Sequence, residues 1–111
     1  MKKLLFIGFL TFFILLSGCI GPSEQTTSVG ISYTTVDIRD FAFFPAVDNV
    51  SNGTRVIWTN KDSTPHTITG KDFDSGPISQ SQAFSHTFNK TGTFEYHCTI
   101  HSNMNGNVIV T

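Results

Sequence analysis

Nine residues near the end of the chain, "YHCTIHSNM" from Tyr96 to Met104, hold a thiol, two imidazoles and a thioether. Cys98, His101 and Met104 stand at C-x-x-H-x-x-M spacing, leaving one apolar, β-rich run and entering another. A tight loop between two strands can turn all three side chains toward one point. Thiolate, imidazole and thioether form a soft donor set. It suits copper, which must be held as both Cu(I) and Cu(II). Zinc takes Cys and His but seldom a thioether.

Three donors leave room for a fourth, and an imidazole fits the set best. His97 neighbours Cys98 on a strand, so its side chain points the other way. His86 lies inside "FSHTF", a strand pattern well before the loop. Both read as structural. His66 follows a Pro-containing loop in "KDSTPHTIT", where an early loop and a late loop of a sandwich can meet at the same end. His66 is therefore the expected fourth ligand.

The elements that must position these residues read as β. "TTVDIRDFAF" alternates around Val36, Ile38 and then Phe41 or Phe43. "TRVIWTN", Thr54 to Asn60, is β-branched and aromatic and follows the turn "SNG". "HTIT" predicts a short strand closed by Gly70, and "AFSHTFNKTGTFEYHC" two strands, Ala83–Phe88 and Thr93–Cys98. "GNVIVT" is the last. No segment has helical periodicity. The fold class is all-β, a Greek-key sandwich. Trp58, Phe41, Phe43, Phe84, Phe88 and Phe94 are expected in the core or at the rim of the ligand end.

The first residues are of another kind. Lys2 and Lys3 precede an apolar run, Leu4 to Leu16, then Ser17, Gly18 and Cys19. This is the plan of an export signal, and the run is short of the roughly 20 residues a spanning helix needs. A retained anchor is the alternative reading. "LSGC" resembles the lipobox of bacterial-type lipoproteins, which implies a lipid on Cys19 and a tether outside the cytoplasm. Residues 1–18 are then signal, 19–32 a Gly/Ser/Thr-rich linker, and 33–111 the folded domain. With Cys19 lipidated, Cys98 is left without a disulfide partner, whereas a Cys19–Cys98 bridge would be the ordinary expectation for an exported chain.

The mature part carries five basic residues against eight acidic ones and has no basic run, which argues against nucleic acid. Catalytic copper needs an open position and usually a second copper, and the remaining histidines are too few and wrongly placed. An enzyme is not expected. A copper storage or delivery domain is the alternative, although only one methionine, Met104, follows Cys19.

"VIWTNKDSTPHTIT" together with "GTFEYHCTIHSNMNGNVIVT" resembles the cupredoxins, the type 1 blue copper proteins, and looks closest to their amicyanin, pseudoazurin and plastocyanin-type domains. The likeness covers roughly Tyr33 to Thr111. It implies about eight strands, one copper per chain, His66, Cys98 and His101 as the strong ligands and Met104 as the weak axial one. It implies single-electron transfer between redox proteins, probed through His101 and a small apolar rim with Pro45, Pro65 and Ile100 as candidates, in a monomer at the cell membrane or periplasm. Two departures stand out. Ile100 and Ser102 flank His101 where amicyanin-type loops have prolines. Thr67 follows His66 where many relatives have Asn, so the Asn clasp on the Cys loop is expected to pass to Asn60 or Thr99.

Overall fold

A computed structural model describes residues 30–111; the signal segment, Cys19 and most of the linker lie outside the described residues. Eight strands follow one another: β1 Tyr33–Arg39, β2 Ala42–Phe44, β3 Val47–Val50, β4 Thr54–Asn60, β5 Thr69–Gly70, β6 Ala83–Phe88, β7 Gly92–His97 and β8 Asn105–Val110. They form two four-stranded sheets, ordered β2-β1-β4-β6 and β3-β8-β7-β5. β1 runs parallel to β4 and β3 parallel to β8, while the remaining neighbours are antiparallel. The all-β sandwich read from the sequence is the fold observed.

Period-two alternation does the sorting. β4 buries Thr54, Val56, Trp58 and Asn60 and turns Arg55, Ile57 and Thr59 outward. β8 buries Gly106, Val108 and Val110. Val36 and Ile38 of β1, with Ile68, Phe88 and Tyr96, fill the space between. Trp58 sits at the centre, edge-on to Tyr96 with ring centroids 5.3 Å apart and stacked on Phe73 at 5.9 Å. Phe43 and Phe88 are buried, and Phe84 and Phe94 pack against the core from its margin.

Three expectations are corrected. "TTVDIRDFAF" is not one strand: Asp40 and Phe41 both take positive φ (52° and 56°), and the chain doubles back so that β2 pairs with the end of β1. β3 went unread because only Val47 and Val50 are apolar there and they do not alternate. "HTIT" yields only Thr69–Gly70 to the sheet, while His66 makes an isolated bridge with Ile78. The ends of β7 and β8 differ by one residue from the sequence reading, and Cys98 falls just past β7.

One glycine is demanded by packing. Gly106 lies opposite Tyr96 in the β7–β8 ladder, and a β-carbon there would collide with the hydroxyl end of the Tyr96 ring. The ring covers the bare backbone, as aromatic side chains do at strand glycines. Gly106→Ala should lower unfolding free energy by about 1–3 kcal/mol, the usual cost of overpacking. Denaturant melts of the two proteins measure it; a loss under about 0.5 kcal/mol would show that the ring can move aside.

Candidate metal centre

β4 and β7 deliver the site. After β4, Asn60 is fully buried and its side chain shapes the next loop: Nδ2 donates to the carbonyls of Thr64 and Ile78 at 3.0 Å each, and Oδ1 accepts from the Asp62 N–H at 2.9 Å. That loop ends at His66, whose backbone exchanges two hydrogen bonds with Ile78. After β7 the chain closes a turn on itself, with Cys98 N–H donating to the Met104 carbonyl (3.1 Å) and Met104 N–H to the His101 carbonyl (3.0 Å). A seven-residue segment held at both ends presents Cys98, His101 and Met104 from one turn.

The two loops are then fastened to each other. Thr67 Oγ1 accepts the Thr99 N–H at 2.8 Å and shares hydroxyl bonds with Thr99 (3.2 Å) and Thr69 (3.0 Å). The Thr67 N–H donates to Cys98 Sγ at 3.4 Å. Thr67 thus makes the clasp that the sequence reading had passed to others. Thr99 is its partner, and Asn60 braces the His66 loop instead. A threonine hydroxyl accepts a backbone N–H as an asparagine carbonyl would.

His66, Cys98 and His101 offer ligand atoms that all lie within 4.8 Å of one another. Cys98 Sγ is 3.9 Å from His66 Nδ1 and 3.7 Å from His101 Nδ1. Bonds of about 2.3 Å to sulfur and about 2.05 Å to nitrogen place S and N about 3.8 Å apart when they open in a plane, and about 3.6 Å apart at tetrahedral angles. The observed spacings are those that a sulfur and a nitrogen bound to one metal would take. His66 and Cys98 are fully buried, Met104 nearly so, and His101 is half-buried. His97 is exposed, and His86 is stacked on Phe73 at 4.8 Å; both stand outside the cluster, as their structural reading requires. A surface hollow of about 700 Å³ beside Lys71, Lys90 and Glu95 is a groove along the β5–β7 edge and shares no residue with this cluster.

Burial pushes the Cys98 thiol up, but hydrogen bonds from the Thr67 N–H, from the His101 and His66 rings and from the His101 backbone outweigh it and bring it down to about 6 from its ordinary 9.0. A thiol so placed is a thiolate at neutral pH, the form that binds metal.

One residue of the site escaped sequence reading, Asp62. Asp62 Oδ2 pairs with His66 Nε2 at 2.9 Å, which holds the ring with Nδ1 toward Cys98. The same carboxylate accepts the N–H groups of Asp40 (2.9 Å) and Phe41 (3.0 Å). Burial pushes the Asp62 carboxyl up, but the Phe41 N–H, the His66 ring and the Asp40 N–H together hold it below its usual value. Asp62 therefore pins the positive-φ turn, and the turn sets Phe41 edge-on to both rings, with centroids 5.4 Å from His66 and 5.1 Å from His101. Phe41 and Ile100 are each about half exposed, and Pro45 and Pro65 are exposed.

Two outcomes are expected for the metal-free protein. The Cys98 thiolate should titrate near pH 6 in the folded chain by its ultraviolet absorbance and near 9 in denaturant. Because the folded value is the lower one, this group's stabilising contribution is whole above pH 9, shrinks as pH falls, and is gone below 6. Asp62→Ala removes the acceptor of two backbone N–H groups, so the Asp40 and Phe41 amides should exchange with solvent roughly 10-fold faster or more. Unchanged exchange would show that the turn holds itself.

The match to known proteins follows this geometry. The family model for the cupredoxin-like domain matches residues 5–110. Amicyanin of Paracoccus denitrificans is 35% identical over 99 residues, spanning 80% of this chain and 76% of the relative. Amicyanin-alpha of Methylorubrum extorquens is 30% identical over 97 residues, spanning 81% and 82%. Among solved structures, the Cu(I) form of an amicyanin variant superposes with a TM-score of 0.68 at 28% identity, covering 72% of this chain and 83% of that one. A purple cupredoxin from Nitrosopumilus maritimus gives 0.65 at 29% identity, covering 69% and 98%. The sandwich, the loop that joins β7 to β8 and these matches agree: the chain belongs to the cupredoxin family, the type 1 blue copper proteins.

Proposed function

We propose that this protein is a one-electron carrier in which His66 Nδ1, Cys98 Sγ and His101 Nδ1 would be the strong ligands of a single copper and Met104 a weak one. The observation that carries the reading is the pair of S···N spacings, 3.9 and 3.7 Å, in a buried cluster whose thiol is already ionised at neutral pH. Copper, when bound, supplies the Cu(II)/Cu(I) couple. The protein supplies the rest. Asp62 and the Asn60-braced loop orient His66, and Thr67 orients Cys98. A backbone N–H on the sulfur withdraws electron density from the thiolate and favours the reduced state. Ligands held on two clasped loops need not move when the charge changes, which keeps the reorganisation small.

His101, half-buried and bordered by Phe41 and Ile100, is the electron port. Its rim, with Pro45 and Pro65, docks redox proteins. The support for export and tethering is the charged, apolar and small-residue order of the first residues ending at Cys19. On that reading residues 1–18 are removed, Cys19 carries lipid, 19–32 are the linker, 33–111 the carrier domain, and the monomer faces the periplasm or cell exterior. No catalytic step is assigned to it.

The test is a visible spectrum of the native chain after addition of Cu(II). An intense band that bleaches with ascorbate is expected. Cys98→Ser should abolish it, and His86→Ala and His97→Ala should leave it unchanged. Ile100→Glu should keep the band while slowing electron exchange with an external redox protein several-fold. A colourless protein that still binds Cu(I) tightly would point to copper delivery instead. Loss of colour in His97→Ala would overturn the ligand assignment.

A further inference from the structure

We propose that the end of the sandwich opposite the candidate metal centre rests on an anionic lipid bilayer, so that the carrier stands with its electron port facing away from the membrane. The inference rests on the reading of Cys19 as the lipid attachment point. β1 and β4 run in parallel from this end to the metal end, Tyr33 opposite Arg55 at the start and Ile38 opposite Asn60 at the finish. Seven residues of strand separate the two ends by about 20 Å.

The described chain enters here, and what it exposes on entry is unusual. Ile31 is 70% and Tyr33 64% exposed, more than any other large hydrophobic residue described. With Arg55 and Ile57 they line a shallow hollow of about 360 Å³. Two of the other exposed apolar side chains have work elsewhere: Phe41 borders the two imidazoles, and Phe44 lies beneath the Arg39 guanidinium at 4.0 Å. An isoleucine for the acyl boundary, a tyrosine for the headgroup layer and a guanidinium for phosphate are the parts of an interfacial contact.

Charge agrees. The strand ends and turns at this end, 31–33, 51–55, 87–93 and 110–111, hold two cationic side chains, Arg55 and Lys90, and no side-chain carboxylate; the Asp48 carboxylate beside them is taken up by the Thr34 hydroxyl at 2.6 Å. Asp72 faces Lys90 across a hollow at the flank. Reach agrees as well. Ten residues lie between Cys19 and Gly30; read as a flexible linker, that length would span about 18 Å root-mean-square, so the lipid would hold this face near the bilayer at high effective concentration. A patch too weak to bind alone is then enough to set orientation.

The experiment uses the full metal-free lipidated chain in vesicles of phosphatidylcholine with phosphatidylglycerol, some of the lipid carrying brominated acyl chains. Tryptophan replaces Ile31 in one variant and Ser102, in the metal-end loop, in another; buried Trp58 in the native chain is the blank. Bromolipid should quench Ile31→Trp several-fold more than Ser102→Trp, and adding Arg55→Glu should cut that quenching at least several-fold. A chain that floats with the vesicles but shows equal quenching at both positions overturns the docking face and leaves the tether standing. A blue-shifted Ile31→Trp that bromolipid does not quench overturns it too, since the linker then covers the patch. A chain that fails to float refutes the tether, and the docking with it.

Discussion

Two loops that are 32 residues apart in sequence meet through one threonine. Thr67 gives its hydroxyl to the Thr99 N–H and its own N–H to the Cys98 sulfur, and everything else about the site presupposes that junction. Without it, His66 and Cys98 belong to separate loops whose relative position is fixed only by the strands behind them. With it, a buried thiol, otherwise pushed toward protonation, is ionised at neutral pH. A buried thiolate is costly unless donors surround it. Here the donors are backbone N–H groups and imidazoles already in place, so the cost of assembling the site is met by folding rather than by the metal.

The sandwich makes the junction possible. Parallel pairing of β1 with β4 carries Asn60 and the Asp40–Phe41 turn to the same end. Antiparallel pairing of β7 with β8 returns the Cys98–Met104 turn to that end as well. Asp62 ties the Asp40–Phe41 turn to His66, its Oδ2 serving both the Phe41 N–H and the His66 ring. The packed aromatics below, centred on Trp58, give the ends a rigid base, since close-packed interiors pass strain on rather than absorb it.

How much of this could be read from sequence followed from how local each signal is. Cys98, His101 and Met104 announce themselves because their spacing is short and their chemistry shared. β4 was legible because its alternation and β-branched content agree. Asp62 was not, because in "NKDSTP" it looks like any solvated loop carboxylate, and the N–H groups it serves are 21 and 22 residues away. The turn at Asp40–Phe41 was hidden for a related reason: Asp tolerates positive φ but Phe rarely does, and the carboxylate that accepts both of its N–H groups is distant in sequence. Thr67 was misjudged by expecting an amide where a hydroxyl serves. β3, an edge strand with two apolar residues, carried too little pattern to be seen.

The central claim is that the protein, not the metal, sets the ligand geometry. Crystal structures of the metal-free and copper-loaded chain test it most directly. The account predicts that Cys98 Sγ, His66 Nδ1 and His101 Nδ1 keep their mutual distances to within about 0.5 Å, the tolerance of a preorganised site, with Thr67 N–H still on the sulfur in both. A metal-free structure in which Cys98 or His66 turns out of the cluster, or in which the Thr67–Thr99 bond is open, would contradict it.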